Sequence, residues 1–207
     1  MPEPENALNY ALIGSPNSGK TTLFNALTGM RAKTGNYPGV TVDRRAANLK
    51  VGNTDVQITD LPGSYSLQAI SEEEHVTSRY LRGELGDDNL DGIVFVADST
   101  SLSRSLPFLL NILNLNIPTI LVCTMIDECK ARGGDIDFFK LKAELGIPVV
   151  GVVGNQGLGV TDLKQFFLEP QKWKTSGVPT FESTEQRFEW ADKIFEKVLR
   201  RPISESN

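Results

Sequence analysis

The run Gly14-Ser15-Pro16-Asn17-Ser18-Gly19-Lys20-Thr21 has the order G-x-x-x-x-G-K-[ST]. Each residue type in it suits one task. Glycines let the backbone wrap closely around a phosphate. Successive N–H groups and the start of the following helix aim at the anion. Lys20 is long enough to reach β- and γ-phosphates, and the Thr21 hydroxyl suits Mg²⁺. The run follows a short apolar stretch, Tyr10–Ile13, and opens a segment with Leu23, Phe24 and Leu27 at helical spacing. That strand-to-helix context is the one a phosphate cradle requires. Taken alone it predicts a P-loop nucleotide binder and leaves kinases and ATPases open.

Further along, Asp60-Leu61-Pro62-Gly63 has the form D-x-x-G and follows the apolar segment Asp55–Thr59. Asp60 is placed to hold Mg²⁺ through a water, and Gly63 to donate its N–H to a γ-phosphate. Between the two motifs lies Gly39-Val40-Thr41-Val42. A threonine here can close over Mg²⁺ only when a γ-phosphate is present, which is switch logic. Without its flanks Thr41 would read as a solvated loop residue. Thr124-Met125-Ile126-Asp127 follows the apolar run Pro118–Cys123, where a GTPase carries N-x-x-D. Asp127 can accept hydrogen bonds from guanine N1 and N2, which adenine cannot reciprocate; a helix-capping carboxylate is its plainer reading.

These motifs need elements to hold them. The pattern predicts strands at Tyr10–Ile13, Ala46–Lys50, Asp55–Thr59, Gly92–Ala97, Pro118–Cys123 and Pro148–Val153. It predicts helices at Lys20–Thr28, Glu72–Arg82, Leu102–Leu115, Phe138–Leu145 and Thr161–Phe167. Residues 30–44 and 61–71 read as loops. Gly29 stops the first helix, and Ser71 with Glu74 forms a capping box on the second. Strands alternating with helices predict an α/β fold: a mostly parallel central sheet with helices on both faces. Residues 1–8 read as a flexible tail and 9–169 as the nucleotide-binding domain. Residues 170–181, with Pro170, Gly177 and Pro179, read as a linker before one amphipathic helix, Phe181–Arg200.

The composition narrows the function further. The 207 residues carry 21 Lys plus Arg against 26 Asp plus Glu, a formal charge of −5. An acidic chain is a poor match for nucleic acid. Two cysteines, Cys123 and Cys129, form no disulfide framework and fit a reducing compartment. No run approaches the roughly 20 apolar residues of a membrane-spanning helix, so the chain reads as a soluble cytoplasmic piece.

The set GSPNSGKTTLFN (14–25), GNYPGVTVD (35–43) and DLPGSYSL (60–67), followed by SEEEHV (71–76) and Tyr80-Leu81, resembles the cytoplasmic GTPase domain of FeoB-type ferrous iron transporters. The resemblance spans roughly residues 9–169. It implies a Ras-like P-loop GTPase fold that binds GTP and GDP with Mg²⁺, hydrolyses GTP slowly, and couples this to Fe²⁺ uptake. The transmembrane region of the same transporter would be its partner, at the cytoplasmic face of the bacterial inner membrane. It further implies that Gly14 to Thr22 (Gly14, Ser15, Pro16, Asn17, Ser18, Gly19, Lys20, Thr21, Thr22) cradle the phosphates. Thr21 and Thr41 would ligate Mg²⁺, with Asp60 behind them. Thr124, Met125, Asp127, Val152, Val153 and Gly154 would surround the base. Asn17, Lys20, Thr41 and Gly63 would assist catalysis, Asn17 by holding K⁺. Asn17 as a turn-stabilising residue stays open beside this. Glu73 and Glu74 read as first-turn carboxylates that suit the helix dipole, and His75 as a solvated helix residue.

Ser64, within the matching DLPGSYSL run, stands where many GTPases place the glutamine that orients water. The chain departs from the family pattern in three places. Thr124 replaces the asparagine of N-x-x-D and lacks an amide for the guanine. Val152-Val153-Gly154-Asn155 replaces a Ser-Ala pair, though Asn155 can still help. Only one long helix stands where relatives place a helical spacer. Its apolar side, read as Phe188, Ile194, Phe195, Val198 and Leu199, must be buried on its own domain or on a second copy, making a homo-oligomer. A nucleotide-promiscuous NTPase or non-catalytic sensor therefore stays open, as does a soluble ribosome- or tRNA-associated GTPase.

Overall fold

The computed structural model describes residues 7–30, 32–68, 70–85, 89–173, 178–201 and 203. Residues 1–6 of the expected tail and Gly177 of the expected linker lie outside them. The chain runs β1 (Leu8–Gly14), α1 (Lys20–Thr28), β2 (Lys33–Asn36), β3 (Asp43–Val51), β4 (Thr54–Asp60), α2 (Glu72–Leu81) and β5 (Gly92–Asp98). It continues through α3 (Leu102–Leu113), β6 (Thr119–Thr124), α4 (Ile126–Ala131), β7 (Asp135–Ile136), α5 (Phe138–Leu145) and β8 (Val149–Gly151). It closes with α6 (Val160–Phe166), α7 (Thr184–Val198) and β9 (Leu199–Arg201).

The main sheet has the order β2-β3-β4-β1-β5-β6-β8. Strands β4, β1, β5, β6 and β8 are parallel, and β2 and β3 join antiparallel at one edge. Alternate residues of the inner strands enter two separate cores, which is why these strands read as continuous apolar runs. Tyr10, Leu12, Val94, Val96, Ile120 and Val122 pack under α1 and α6 with Leu23, Phe24, Leu27 and Leu163. Ala11, Ile13, Phe95, Ala97, Leu121 and Cys123 pack on the other face with α2, α3, α5 and α7. Burial there pushes the Cys123 thiol up to about 12, so it is an inert core thiol.

Register decides where chemistry can occur. Leu12 pairs with Asp60, Gly14 with Val96, and Asp98 with Thr124. The carboxyl ends of β1, β4, β5 and β6 therefore finish along one rim, where parallel α/β sheets bind ligands.

Four expectations change. Residues 33–36, read as loop, form the edge strand β2, and β3 begins at Asp43 rather than Ala46. The linker is not a free spacer at its start: Pro170–Lys172 makes a short 3₁₀ turn and Trp173 is wholly buried against Tyr10 and Phe167. The final helix ends at Val198, because Leu199–Arg201 leaves it to pair with β7 in a two-stranded ribbon. The Ser71 hydroxyl does accept the Glu74 N–H, at 3.1 Å, but the Glu74 carboxylate turns away to Ser66 Oγ and the Ile70 N–H.

Helix α7 buries Ala191, Ile194 and Val198 against its own domain, on α3 and α5, while Phe188 stays about half exposed. Its apolar face is thus covered within one chain, and a second copy is not needed to bury it. Arg200 ties the ribbon down through two bonds to Asp137 Oδ2, at 2.7 and 3.0 Å. The Lys140 N–H and then the Arg200 guanidinium hold the Asp137 carboxyl below the ordinary aspartate range. A depressed carboxylate contributes stability that is present above the ordinary value of about 3.9 and lost as pH falls through its folded value. Arg200→Ala is expected to move the Asp137 titration upward in a carbon-detected NMR pH series; an unmoved curve would show that the pair does not set it.

Candidate functional site

The loop after β1 is shaped by backbone conformations that side chains rarely adopt. Asn17 has φ 63° and Gly19 φ 80°, which bends the chain into a cup before α1 begins. No side chain caps α1 at Gly19. Its first N–H groups are therefore open to an anion, the arrangement that binds phosphate at helix starts. Ser15, Pro16, Asn17, Gly19, Lys20, Thr21 and Thr22 line a cavity of about 570 Å³ together with Gly63 and Met125.

Lys20 does not point into empty space. Its ammonium is ion-paired with Asp60 Oδ1, with side chains only 11% and 5% exposed. The pair joins the end of β4 to the start of α1. Thr41 lies in an adjoining cavity of about 390 Å³ that Lys20 and Asp60 also line. Its Oγ1 faces Glu72 Oε2 at 3.5 Å. The turn that carries it is pinned by Tyr37, which is buried and packs edge-on to Tyr80.

A third cavity, about 260 Å³, shares Gly19, Thr22 and Met125 with the first. Thr124, Asp127, Val153, Gly154 and Asn155 complete its wall, with Glu128 beside them. Met125 adopts φ 52° at the start of α4 and so turns the chain between the two cavities. The three cavities form one groove along the strand ends.

Not every expected residue reaches this groove. Gly14 sits behind it: a Cβ there would lie 2.4 Å from the Val96 carbonyl oxygen, so close strand approach is what requires glycine. Ser18 is buried, its N–H donating to the Ser15 carbonyl. Val152 belongs to the core, and its N–H donates to the Cys123 carbonyl at 2.8 Å. Ser64 turns inward, 1% exposed, with its hydroxyl between the Pro62 carbonyl and Thr77 Oγ1. It is not among the residues that line the phosphate cavity. Two residues at the groove carry no motif signal. Glu72 faces Thr41, and only its place in an acidic first turn hinted at it. Glu128 borders the base cavity, masked by its surface pairing four residues ahead to Arg132.

A parallel sheet with a strand–loop–helix phosphate cup, an aspartate ending the neighbouring strand and a second cavity behind the cup has the P-loop GTPase α/β fold. The chain belongs to the ferrous iron transport protein B family, whose model matches residues 8–167, and corresponds to its N-terminal G domain. It is 38% identical over 181 residues to the Fe(2+) transporter FeoB of Leptospira biflexa, covering 87% of this chain and 26% of that protein. The chain thus spans about a quarter of that relative's length. The crystal structure of the G domain of the T. maritima FeoB iron transporter matches with TM-score 0.74 at 40% identity, covering 80% of this chain and 99% of that one. The cytosolic domain of the same transporter in its GMPPNP form matches with TM-score 0.82 at 28% identity, covering 93% and 99%.

Proposed function

We propose that this chain is the GTP-binding and GTP-hydrolysing switch domain of a ferrous iron transporter. It works at the cytoplasmic face of the bacterial inner membrane and passes its nucleotide state to the transmembrane region to control Fe²⁺ uptake. The observation that carries this reading is the single groove joining the uncapped start of α1, the Lys20–Asp60 pair and the Asp127 cavity through Met125. The GMPPNP form of the T. maritima cytosolic domain supports a guanine nucleotide as its occupant.

In this reading the N–H groups of Gly19 to Thr22 hold the phosphates, and Lys20 leaves Asp60 for the β- and γ-phosphates. The Gly63 N–H meets the γ-phosphate. The hard oxygen donors of Thr21, Thr41 and Asp60 suit Mg²⁺, which when bound offsets the charge of the phosphate chain. For this Thr41 must exchange Glu72 for the nucleotide side, so a γ-phosphate draws its loop inward. Asn17, held at φ 63° on the cavity wall, offers an amide oxygen to K⁺, whose positive charge would sit where charge develops in hydrolysis. Asp127 accepts from guanine N1 and N2.

Calorimetry in Mg²⁺ and K⁺ is expected to show GTP binding at least about tenfold tighter than ATP. That is the scale of hydrogen bonds lost at a charged acceptor. Equal affinities would sink the guanine reading. The inward turn of Ser64 favours one second reading, a sensor that binds nucleotide without hydrolysing it. Phosphate release measured in K⁺ against Na⁺ separates the two, since only an enzyme releases phosphate in either salt.

A further inference from the structure

We infer that Thr124 does not read the nucleobase but braces the P-loop, leaving the N7 edge of guanine unread and base selection to Asp127. This rests on the guanine reading above. An asparagine amide carries two protons and can hold the loop with one while donating to the base with the other. Threonine has one hydroxyl proton. The Thr124 side chain is buried, and its Oγ1 lies 2.7 Å from the Ser18 carbonyl oxygen and 3.2 Å from that of Ala97. Both carbonyls only accept, so the hydroxyl's one proton goes to the nearer, that of Ser18, with Ala97 at its flank, and is committed behind the loop. Guanine N7 is also an acceptor. A hydroxyl whose proton is committed has nothing to offer it.

The packing agrees with the hydrogen bonds. A Cβ at Gly19 would lie 3.3 Å from both Cβ and Oγ1 of Thr124, so the end of β6 presses directly on the cup. Thr124 is therefore a positioning residue for the phosphate loop. Asp127, exposed on the rim of the base cavity, is an acceptor that can match the N1 and N2 donors and is indifferent to atom 7.

The test compares GTP, ATP and 7-deaza-GTP, in which carbon replaces N7, by calorimetry on the wild-type chain. GTP and 7-deaza-GTP are expected to bind within about twofold of each other. Thr124→Val is expected to weaken both by the same factor, about fivefold for one lost hydrogen bond, and Thr124→Ser to restore both. A tenfold weaker 7-deaza-GTP in the wild type would overturn the inference, as would a Val variant that loses affinity for GTP alone. Those results would leave the guanine reading intact as long as ATP stays weak. ATP binding as tightly as GTP would overturn the guanine reading and this inference with it. The wild-type comparison needs no variant, so a Val chain that fails to fold leaves the outcome decided.

Discussion

Lys20→Ala is expected to weaken GTP binding by about a hundredfold and to remove measurable phosphate release. Two losses combine. The ammonium is the positive side chain at the mouth of the phosphate cavity, and hydrogen bonds to charged groups contribute about 1.5–3 kcal/mol each. Its removal also leaves Asp60, whose side chain is 5% exposed, without the partner it has in the free protein. Removing one half of a buried ion pair is strongly destabilising, on the order of 3–5 kcal/mol. The variant should therefore melt earlier in the absence of nucleotide as well as bind poorly. Two readouts separate the effects: the melting temperature without nucleotide reports the orphaned Asp60, and calorimetry on the folded fraction reports the lost phosphate contact. Near-normal GTP affinity in Lys20→Ala would mean that the cup alone holds the nucleotide.

Trp173→Ala is expected to cost about 3–5 kcal/mol of stability, the range for emptying a large buried aromatic site. At about 2–4 °C per kcal/mol for a chain of this size, the melting temperature should fall by roughly 6 to 20 °C. The indole is 0% exposed, lies 5.2 Å from the Tyr10 ring, and donates from Nε1 to the Phe166 carbonyl at 3.1 Å. It also fills the space over Gly92, where a Cβ would meet its ring at 2.8 Å. Gly92 begins β5, at the opposite end of the strand from the nucleotide groove. GTP affinity of the folded fraction should accordingly stay unchanged. A melting point within about 2 °C of the wild type would show that the ring adds little to the core.

Those two residues differ in how far the sequence reveals them. Lys20 is legible because its work depends on local order: a strand, a glycine turn and a helix start, all contiguous. The inner strands are legible for a similar reason, since burial on both faces writes an unbroken apolar run. Trp173 is not, because a tryptophan between Pro170 and Gly177 looks like linker until Tyr10 arrives from the far end of the chain to stack with it and with the nearby Phe167. Strand β2, Lys33-Thr34-Gly35-Asn36, is exposed at every position and has no apolar alternation; only its pairing with β3 makes it a strand. Asp135–Ile136 is too short to carry a pattern and exists through Leu199–Arg201, more than sixty residues later. Within the site, Asp60, Asp127 and the loop residues could be placed from motif order. The inward turns of Ser64, Ser18 and Val152 could not, because each depends on a partner that spacing does not specify: Thr77, Thr124 and Cys123.

The edge pairing of β2 has a mechanical corollary for the loop that carries Thr41. That loop is the tip of a hairpin whose inner arm, β3, is bonded on both sides, whereas the outer arm, β2, is bonded on one side only. The outer arm contributes no buried side chain. It can unzip from its open edge, rung by rung, without uncovering either core, while buried Tyr37 acts as the pin on which the tip pivots. Travel at Thr41 itself is costlier, because Val40 and Val42 on either side of it pack against the core and the Tyr37 N–H donates to the Val42 carbonyl. The outer arm is thus the yielding part and the tip is latched to the platform.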